Sequence, residues 1–210
     1  MPKRGLFITF EGVEGSGKTT QAKALADWFE QNGFACILVR DPGTTIPGEK
    51  IREILLNPEN SIHPKCEVLL FLAARSQLVY EKILPALIEK KIVISDRFSD
   101  STYAYQTFAR NLPERLIAIF NRFATAGLKP DLTFLVDIDI PLGQARGKCV
   151  DRMEKESFSY HNEVRNGYLK LARRARKRIK ILDGKKSVDE LKKEVIDNVK
   201  NLLIRKGYKI

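Results

Sequence analysis

Short hydrophobic runs alternate along this chain with stretches in which hydrophobic residues recur every three or four positions. Continuous runs are typical of buried strands, and the wider spacing is typical of helices that bury one face. The predicted strands are residues 6–10, 34–40, 92–95, 132–138 and 178–182. The predicted helices are residues 19–32, 48–56, 65–90 with a break near Pro85, 100–109, 113–126, 141–146, 157–174 and 187–205. This order predicts an α/β fold with a parallel five-stranded sheet flanked by helices.

Residues 12–19, which follow the first predicted strand, read Gly-Val-Glu-Gly-Ser-Gly-Lys-Thr. This is the G-x-x-x-x-G-K-[ST] pattern of a phosphate-binding P-loop. Its glycines bring backbone N–H groups close to an anion, Lys18 supplies a point charge, and the Thr19 hydroxyl can complete a Mg²⁺ shell. A helix beginning near Thr19 adds its positive dipole end. We therefore predict a nucleoside triphosphate site formed by Gly12, Val13, Glu14, Gly15, Ser16, Gly17, Lys18 and Thr19.

Length and composition limit the classes of protein that fit. The 210 residues suit a single domain, and no hydrophobic run approaches the roughly 20 residues that span a bilayer. Three widely spaced cysteines favour neither a disulfide framework nor a metal site, which points to the cytoplasm. The formal net charge is +11, with much of the excess in residues 146–180. We interpret that stretch as a solvated helix face with some phosphate-binding arginines and expect no nucleic-acid partner, although a basic patch also suits nucleic acid.

A second group of polar residues follows the third predicted strand. In sheets of this kind, ligands bind beyond the carboxyl ends of the strands. Asp96 can hold Mg²⁺ there through water, and Arg97 can bind a phosphate through two hydrogen bonds, although a strand-end ion pair is the alternative. Upstream, Phe71 and Arg75 lie four residues apart on one predicted helix face. Phe71 could belong to the core, whereas a buried Arg75 needs a partner.

Taken together, these motifs resemble the thymidylate kinase family of P-loop nucleoside monophosphate kinases. The resemblance is colinear and covers nearly the whole chain. It rests on residues 10–21, Arg40-Asp41-Pro42-Gly43, Phe71 to Arg75, Asp96-Arg97-Phe98, Ala104-Tyr105-Gln106, residues 128–132 and Asp151-Arg152. It implies a P-loop NTPase architecture with a short lid and the transfer of a phosphoryl group from ATP to dTMP. It also implies a homodimer and a Mg²⁺ ion near Thr19 and Asp96.

The resemblance further implies a role for each residue of the acceptor site. Phe71 would stack on the thymine and Arg75 would bind its carbonyl edge, because a planar base suits an aromatic face and a carbonyl suits a cationic donor. Tyr105 would lie against the sugar and disfavour a 2′-hydroxyl, while Glu14 would face the 3′-hydroxyl. The remaining contacts would come from Thr102 and Gln106 near the base, and from Arg97 with Arg40 or Arg52 at the phosphate.

Residues 143–156 resemble the lid of this family. The segment is polar, contains two glycines and lies between two predicted helices. The acceptor is a phosphate oxygen already ionised at neutral pH, so catalysis depends on alignment and positive charge rather than on a general base. One variant of the family has an arginine at the position of Gly15, and its absence here implies that the lid supplies that charge. The implied catalytic residues are Lys18, Arg97 and the lid residues Arg146 and Arg152.

Other kinds of P-loop protein share the first motif. A GTPase would carry an N-K-x-D tetrapeptide, which this sequence lacks. A kinase for another small molecule, a nucleic-acid-dependent ATPase, and a P-loop protein that binds without transferring phosphate are the alternatives. Departures from the family pattern at Thr44, Phe98 and residues 107–110 bear on rate and substrate range, since none removes a group that contacts phosphate.

Overall fold

The computed structural model of the protein describes residues 4–147 and 151–208. Within those ranges the chain forms one sheet of five strands, which are β1 (Phe7–Glu11), β2 (Cys36–Arg40), β3 (Ile92–Asp96), β4 (Leu132–Asp137) and β5 (Ile179–Asp183). The strand order is β2-β3-β1-β4-β5, and every neighbouring pair is parallel. The predicted parallel five-stranded sheet is confirmed.

The sheet has its topological switch point between β1 and β3. The chain leaves β1 for the edge strand β2, returns through β3, and then crosses to β4 and β5 on the other side of β1. The connections that leave β1 and β3 therefore run in opposite directions, and a crevice opens between the carboxyl ends of these two strands. The P-loop sequence begins directly after Glu11, the last residue of β1.

The described helices lie close to the predicted ranges. They are α1 (Lys18–Gln31), α2 (Ile46–Leu56), α3 (Pro64–Leu78), α4 (Leu84–Ile88), α5 (Ser99–Thr102), α6 (Glu114–Ala124), α7 (Ile140–Arg146), α8 (Phe158–Arg174) and α9 (Val188–Arg205). Side-chain oxygens of Thr45, Ser157 and Ser187 accept hydrogen bonds from N–H groups in the first turns of α2, α8 and α9. These caps explain where three of the helices begin.

Two turns of π-helix interrupt the α-helical pattern, at Val79–Ile83 and at Tyr103–Ala109. The first one takes the place of the predicted break near Pro85. Proline lacks an N–H donor, and its ring collides with the carbonyl four residues earlier in a regular α-helix. The π-turn ends just before α4, and Pro85 lies in the first turn of α4, where a proline is tolerated.

The core lies on both faces of the sheet. Ile8 and Phe10 of β1 pack with residues of α1 and α9, whereas Phe7 packs with Val93 and with residues around α4. Burial on both faces explains why the strands read as continuous hydrophobic runs. No helix in the described ranges has the length and apolar character needed to cross a membrane.

Candidate active site

The turn from β1 to α1 leaves backbone donors free to meet an anion. Gly17 precedes α1 with φ +93°, a left-handed conformation that favours glycine, and no side chain caps the helix. The first N–H groups of a helix have no partner within the helix. Since α2, α8 and α9 have side-chain caps and α1 has none, the start of α1 is suited to hold phosphate.

The P-loop packs directly against the start of the predicted lid. Gly15 has φ +69°, and a Cβ atom added there would overlap the carbonyl oxygen of Gly143 in α7. A Cβ atom on Gly12 would lie 2.5 Å from the carbonyl oxygen of Val136. Both glycines are therefore required by close backbone contacts as well as by the turn.

Glu14 lies between two cations at the edge of the P-loop. Its Oε2 is 3.3 Å from Lys18 Nζ, and its Oε1 accepts a short hydrogen bond from the Arg97 guanidinium. Burial alone would raise the pKa of the Glu14 carboxyl, but the charges of Lys18 and Arg97 prevail and hold it well below its ordinary value. Glu14 is thus a fixed anion that orients both cations.

Thr19 and Asp96 form the pair predicted to hold a metal ion. The Thr19 hydroxyl donates to Asp96 Oδ2 over 2.5 Å, which joins the first turn of α1 to the end of β3. The other carboxylate oxygen, Asp96 Oδ1, is buried and has no hydrogen-bond partner. A buried acceptor without a donor fits a cation or its water shell, and oxygen ligands suit Mg²⁺. Within residues 4–147 and 151–208 no cluster of three His, Cys, Asp or Glu side chains that could hold a metal ion occurs.

A cavity opens beside the P-loop, above the carboxyl ends of β1, β2 and β3. Lys18 and Thr19 line it on the P-loop side. It also contains every residue predicted to contact the monophosphate, namely Glu14, Arg40, Arg52, Phe71, Arg75, Arg97, Thr102, Tyr105 and Gln106. These residues come from six segments of the chain, so the fold alone brings them together.

Arg75 is buried in this cavity and has the partner that its burial requires. Its Nε donates to Asp41 Oδ2 over 2.5 Å, and Asp41 follows β2 directly. Its two terminal nitrogens donate to Asn121 Oδ1 over 2.7 Å, to the Phe98 carbonyl over 3.1 Å, and to the Thr102 hydroxyl. Four of its five N–H donors are therefore engaged within the protein, and the guanidinium is held rigidly beside Phe71.

Arg97 is held at the centre of the site by contacts on several sides. It has φ +70°, and its side chain donates to the Gly12 carbonyl over 3.0 Å and to the Tyr105 hydroxyl over 3.1 Å. Its guanidinium carbon lies 5.2 Å from the centre of the Tyr105 ring. The side chain consequently joins the P-loop to the acceptor cavity.

Two further arginines face the same cavity from α2 and the end of β2. Arg40 donates twice to Glu49, and Arg52 donates to the Pro42 carbonyl over 3.1 Å. Burial lowers the pKa of the Arg52 guanidinium, and the charges of Arg40 and Arg97 lower it further. Three cations that repel one another in a shared cavity create a site for an anion.

This geometry agrees with what the chain is similar to. The family model described as "Thymidylate kinase" matches residues 10–195. A thymidylate kinase of Thermoanaerobacter sp. (strain X514) is 45% identical, with 95% of this chain and all of the relative covered. One from Caldanaerobacter subterraneus subsp. tengcongensis is 45% identical over 99% of this chain and all of the relative. The solved thymidylate kinase from Ehrlichia chaffeensis has a TM-score of 0.77 and 32% identity, covering 93% of this chain and 98% of that one.

The chain belongs to the thymidylate kinase family. The reaction of this family is the ATP-dependent phosphorylation of dTMP to dTDP, and the chain is an enzyme of that class. The resemblance drawn from the sequence motifs is confirmed.

In this family member the lid reaches the cavity through Asp151, Met153 and Glu154, whereas its two predicted arginines bind elsewhere. Arg146 of α7 donates to the Gly184 carbonyl over 2.9 Å, beyond the end of β5. Arg152 donates from Nε to the Leu55 carbonyl over 2.8 Å and from a terminal nitrogen to Glu67 over 2.7 Å. Neither arginine lines the cavity. Residues 148–150 of the predicted lid 143–156 lie outside the described residues.

Sequence reasoning missed a buried network behind Arg97 in this thymidylate kinase family member. Glu11 accepts from the Ser101 hydroxyl over 2.6 Å and from the Tyr168 hydroxyl over 3.0 Å, and Tyr168 also accepts from Arg97 over 3.0 Å. Burial and the nearby Asp100 raise the pKa of Glu11 to about 7. The position of Glu11 at a strand end was a usable signal, but Tyr168 reads as an ordinary core residue of α8.

Proposed function

We propose that this member of the family carries out phosphoryl transfer with ATP on the P-loop and dTMP in the adjoining cavity. The observation that supports this most strongly is the cavity itself, in which Lys18, Thr19 and Arg97 meet Phe71 and Gln106. A phosphate on the uncapped start of α1 would lie beside the cations that face a second phosphate in the cavity. That is the arrangement in which one phosphate oxygen can attack another phosphorus atom in line.

The base and sugar of dTMP would be held by the inner part of the cavity. Phe71 offers its ring to the thymine, and Arg75 has one free N–H donor for a carbonyl oxygen. Thr102, Tyr105 and Gln106 follow one another on a helical surface that faces the same space. Tyr105, pressed against Arg97, would fill the room that a 2′-hydroxyl needs.

Charge neutralisation would come from the P-loop, the acceptor site and the lid. Lys18 and Arg97 are oriented by Glu14 before any ligand binds, so little reorganisation accompanies the transfer. Arg146 and Arg152 are the lid arginines that we propose for the remaining charge. Arg152 would contribute its charge while its guanidinium stays bound to Glu67. No histidine is required, because the attacking oxygen carries its charge already.

Mg²⁺ is the metal ion that we propose for this site. When bound, Mg²⁺ neutralises charge on the β- and γ-phosphates of ATP. Thr19 and Asp96 would hold it, since the free Asp96 oxygen and the threonine hydroxyl are both oxygen donors.

We also propose that the protein is a cytoplasmic homodimer with a lid over residues 143–156. Leu69 of α3 and Ile119 and Phe123 of α6 are 55%, 57% and 83% exposed, and α3 and α6 pack against each other. Large exposed apolar groups on adjacent helices mark an interaction surface, and a second copy would cover it. Cys36 and Cys66 are free thiols, which agrees with a reducing compartment.

A panel of nucleoside monophosphates tests the proposed acceptor. With ATP as donor, we expect dTMP to be turned over far faster than dUMP, CMP or AMP. Phe71→Ala should raise the KM for dTMP by about tenfold, because stacking on a base is worth about 1–3 kcal/mol, and should leave the KM for ATP nearly unchanged. Phe158→Ala, at an exposed phenylalanine outside the cavity, is the control. Equal effects of Phe71→Ala on both KM values would contradict the assignment of the acceptor pocket.

A further inference from the structure

Glu67, in the first turn of α3, is a fully buried carboxylate outside the set of residues assigned above. Arg110 binds it side-on, with Nε 3.2 Å from Oε1 and a terminal nitrogen 3.1 Å from Oε2. Gln106 Nε2 lies 3.2 Å from Oε1, and Arg152 donates to Oε2 over 2.7 Å. One carboxylate thus joins three side chains that belong to different parts of the molecule.

A carboxylate in this position is sustained only by its partners. Burying a charge is unfavourable unless opposite charges and hydrogen bonds compensate it. Glu67 has two guanidinium groups and an amide against its two oxygens, and Arg110 is paired in turn with Glu156 over 2.5 Å. The group is therefore a closed set of two cations and two anions. Loss of Glu67 would leave Arg152 without its carboxylate partner, while Arg110 would keep Glu156.

The ion-pair set of Glu67, Arg110, Arg152 and Glu156 includes two residues of the lid. Arg152 and Glu156 both belong to the predicted lid segment, and each binds a residue of the set. Arg152 is also bound to the end of α2, from its backbone N–H to the Leu56 carbonyl over 2.9 Å and from Nε to the Leu55 carbonyl over 2.8 Å. The second half of the lid is consequently fastened to the end of α2 and the start of α3.

The same set also holds the acceptor pocket. Gln106 lines the cavity, and its amide has two ends of opposite hydrogen-bonding character. A carboxylate only accepts hydrogen bonds, so the NH₂ end must face Glu67, and the orientation of the amide is decided by that contact. Phe71 lies one helical turn further along α3, on the same face as Glu67. The two proposed base contacts therefore both depend on α3: Phe71 belongs to this helix, and Gln106 is oriented by its residue Glu67.

We propose that Glu67 is a positioning residue that couples occupancy of the acceptor pocket to docking of the lid, with Arg152 as the anchor of the lid in this link. The inference rests on the proposed function, since it takes the cavity as the dTMP site and the P-loop as the nucleotide site. A ligand that orders Gln106 and α3 favours the arrangement in which Glu67 receives Arg152. Lid docking in turn favours the arrangement of Gln106 that accepts the base.

Calorimetric binding measures this coupling directly. The affinity for dTMP is determined without nucleotide and with saturating ADP and Mg²⁺, and the ratio of the two dissociation constants is the coupling factor. We expect a factor of about five or more in the parent protein and a factor near one in Glu67→Gln. The coupling factor should fall to the same value in Arg152→Met. The double variant, Glu67→Gln with Arg152→Met, should have the same coupling factor as either single variant.

Asp131→Asn is the matched control, because Asp131 is also a poorly exposed carboxylate with two cationic partners, Arg4 and Lys206. It lies at the opposite end of the sheet from the cavity, before β4, and its substitution should leave the coupling factor at the parent value. If Glu67→Gln does not fold, Arg152→Met alone carries the same test.

Three results would overturn the inference. They are a parent protein without coupling, a Glu67→Gln variant that retains it, and an Arg152→Met variant that loses kcat while its coupling factor stays at the parent value. The last result would assign Arg152 to direct phosphate contact. A parent protein that does not bind dTMP would overturn the proposed function as well, and the monophosphate panel identifies that case separately.

Discussion

Glu14 holds the two cations of the site, Lys18 and Arg97, in fixed positions. A lysine and an arginine brought together in an empty site repel each other and sample many rotamers. The carboxylate between Lys18 and Arg97 offsets that repulsion and restricts both side chains before substrate arrives. Phosphate groups that enter then exchange one anion for another, and the geometry of the cations is already suited to transfer.

The network behind Arg97 leads to a pH-dependent stability. The pKa of Glu11 is raised to about 7 in the folded protein, above its ordinary value of 4.5, so the folded state binds a proton more tightly than the unfolded state does. The contribution of Glu11 to stability is therefore complete below about pH 4.5 and is lost as the pH rises to about 7. Glu11→Gln, which does not titrate, should flatten this part of the pH profile. Urea unfolding of both proteins at several pH values between 4.5 and 8 measures the difference.

Parallel pH profiles for the parent protein and Glu11→Gln would contradict the role assigned to this group. Asp100, Arg97 and Tyr168 surround Glu11 and are present in both proteins, so their effects cancel in the comparison.

For single residues, the sequence predicts membership of the site where the residue belongs to a local motif. The spacing of Phe71 and Arg75 and the position of Arg97 after a strand are such signals. Tyr168 has no such signal, because its contact with Glu11 joins residues 157 positions apart. Such a contact depends on how α8 crosses the end of the sheet, and no local pattern records it.

Among the elements, the π-helical turn at Tyr103–Ala109 has the most direct effect on the site. The sequence predicted a helix over 100–109, and its position is close to the observed one. Its wider turn could not be predicted, since hydrophobic spacing of three or four residues does not distinguish the two helix types over so short a stretch. π-helical turns often accompany functional sites, and this one carries Tyr105 and Gln106 into the cavity.

Because the P-loop contacts α7, Gly15 tolerates substitution less well than a glycine that is needed only for its turn. Gly15→Ala would have to force Gly143 away, besides adopting φ +69°. We expect it to raise the KM for ATP by about tenfold or more, because the displaced loop would misplace its N–H donors, each worth about 1.5–3 kcal/mol with a charged partner. Steady-state kinetics with varied ATP, together with thermal unfolding, measure both effects.

Gly127→Ala separates the effect of backbone strain from the effect of the contact with Gly143. Gly127 has φ +71°, and an added Cβ would meet no atom within 4 Å. This variant should lose about 1–2 kcal/mol of stability from backbone strain and keep the parent KM for ATP. If Gly15→Ala behaves in the same way, the contact with α7 has no functional weight.

For the whole molecule, the hydrophobic pattern predicts the order of strands and helices along the chain but not their arrangement in space. The hydrophobic runs predicted a parallel sheet, because strands buried on both faces and separated by helices have few other solutions. The order β2-β3-β1-β4-β5 depends on which helices pack together across the sheet. The exposed apolar face of α3 and α6 likewise became visible only when the two helices were seen side by side.

The proposed homodimer is tested by changing the exposed apolar face of α3 and α6. Sedimentation of the parent protein should give twice the chain mass of 23.9 kDa. Phe123→Glu should shift the population towards the monomer, because a charge would replace the most exposed phenylalanine of the face. Phe158→Glu, at an exposed phenylalanine that starts α8, should remain dimeric. A monomeric parent protein would refute the homodimer, and a dimeric Phe123→Glu variant would move the interface elsewhere.

The backbone contact of Gly15 with Gly143 also bears on how such an enzyme can change during evolution. A single substitution of Gly15 by arginine would be the shortest route to a further positive charge in the P-loop. Here the route is closed, because any side chain at Gly15 meets the carbonyl of Gly143 before its charge can be used. An arginine at position 15 of this chain would therefore require a change in α7 at the same time.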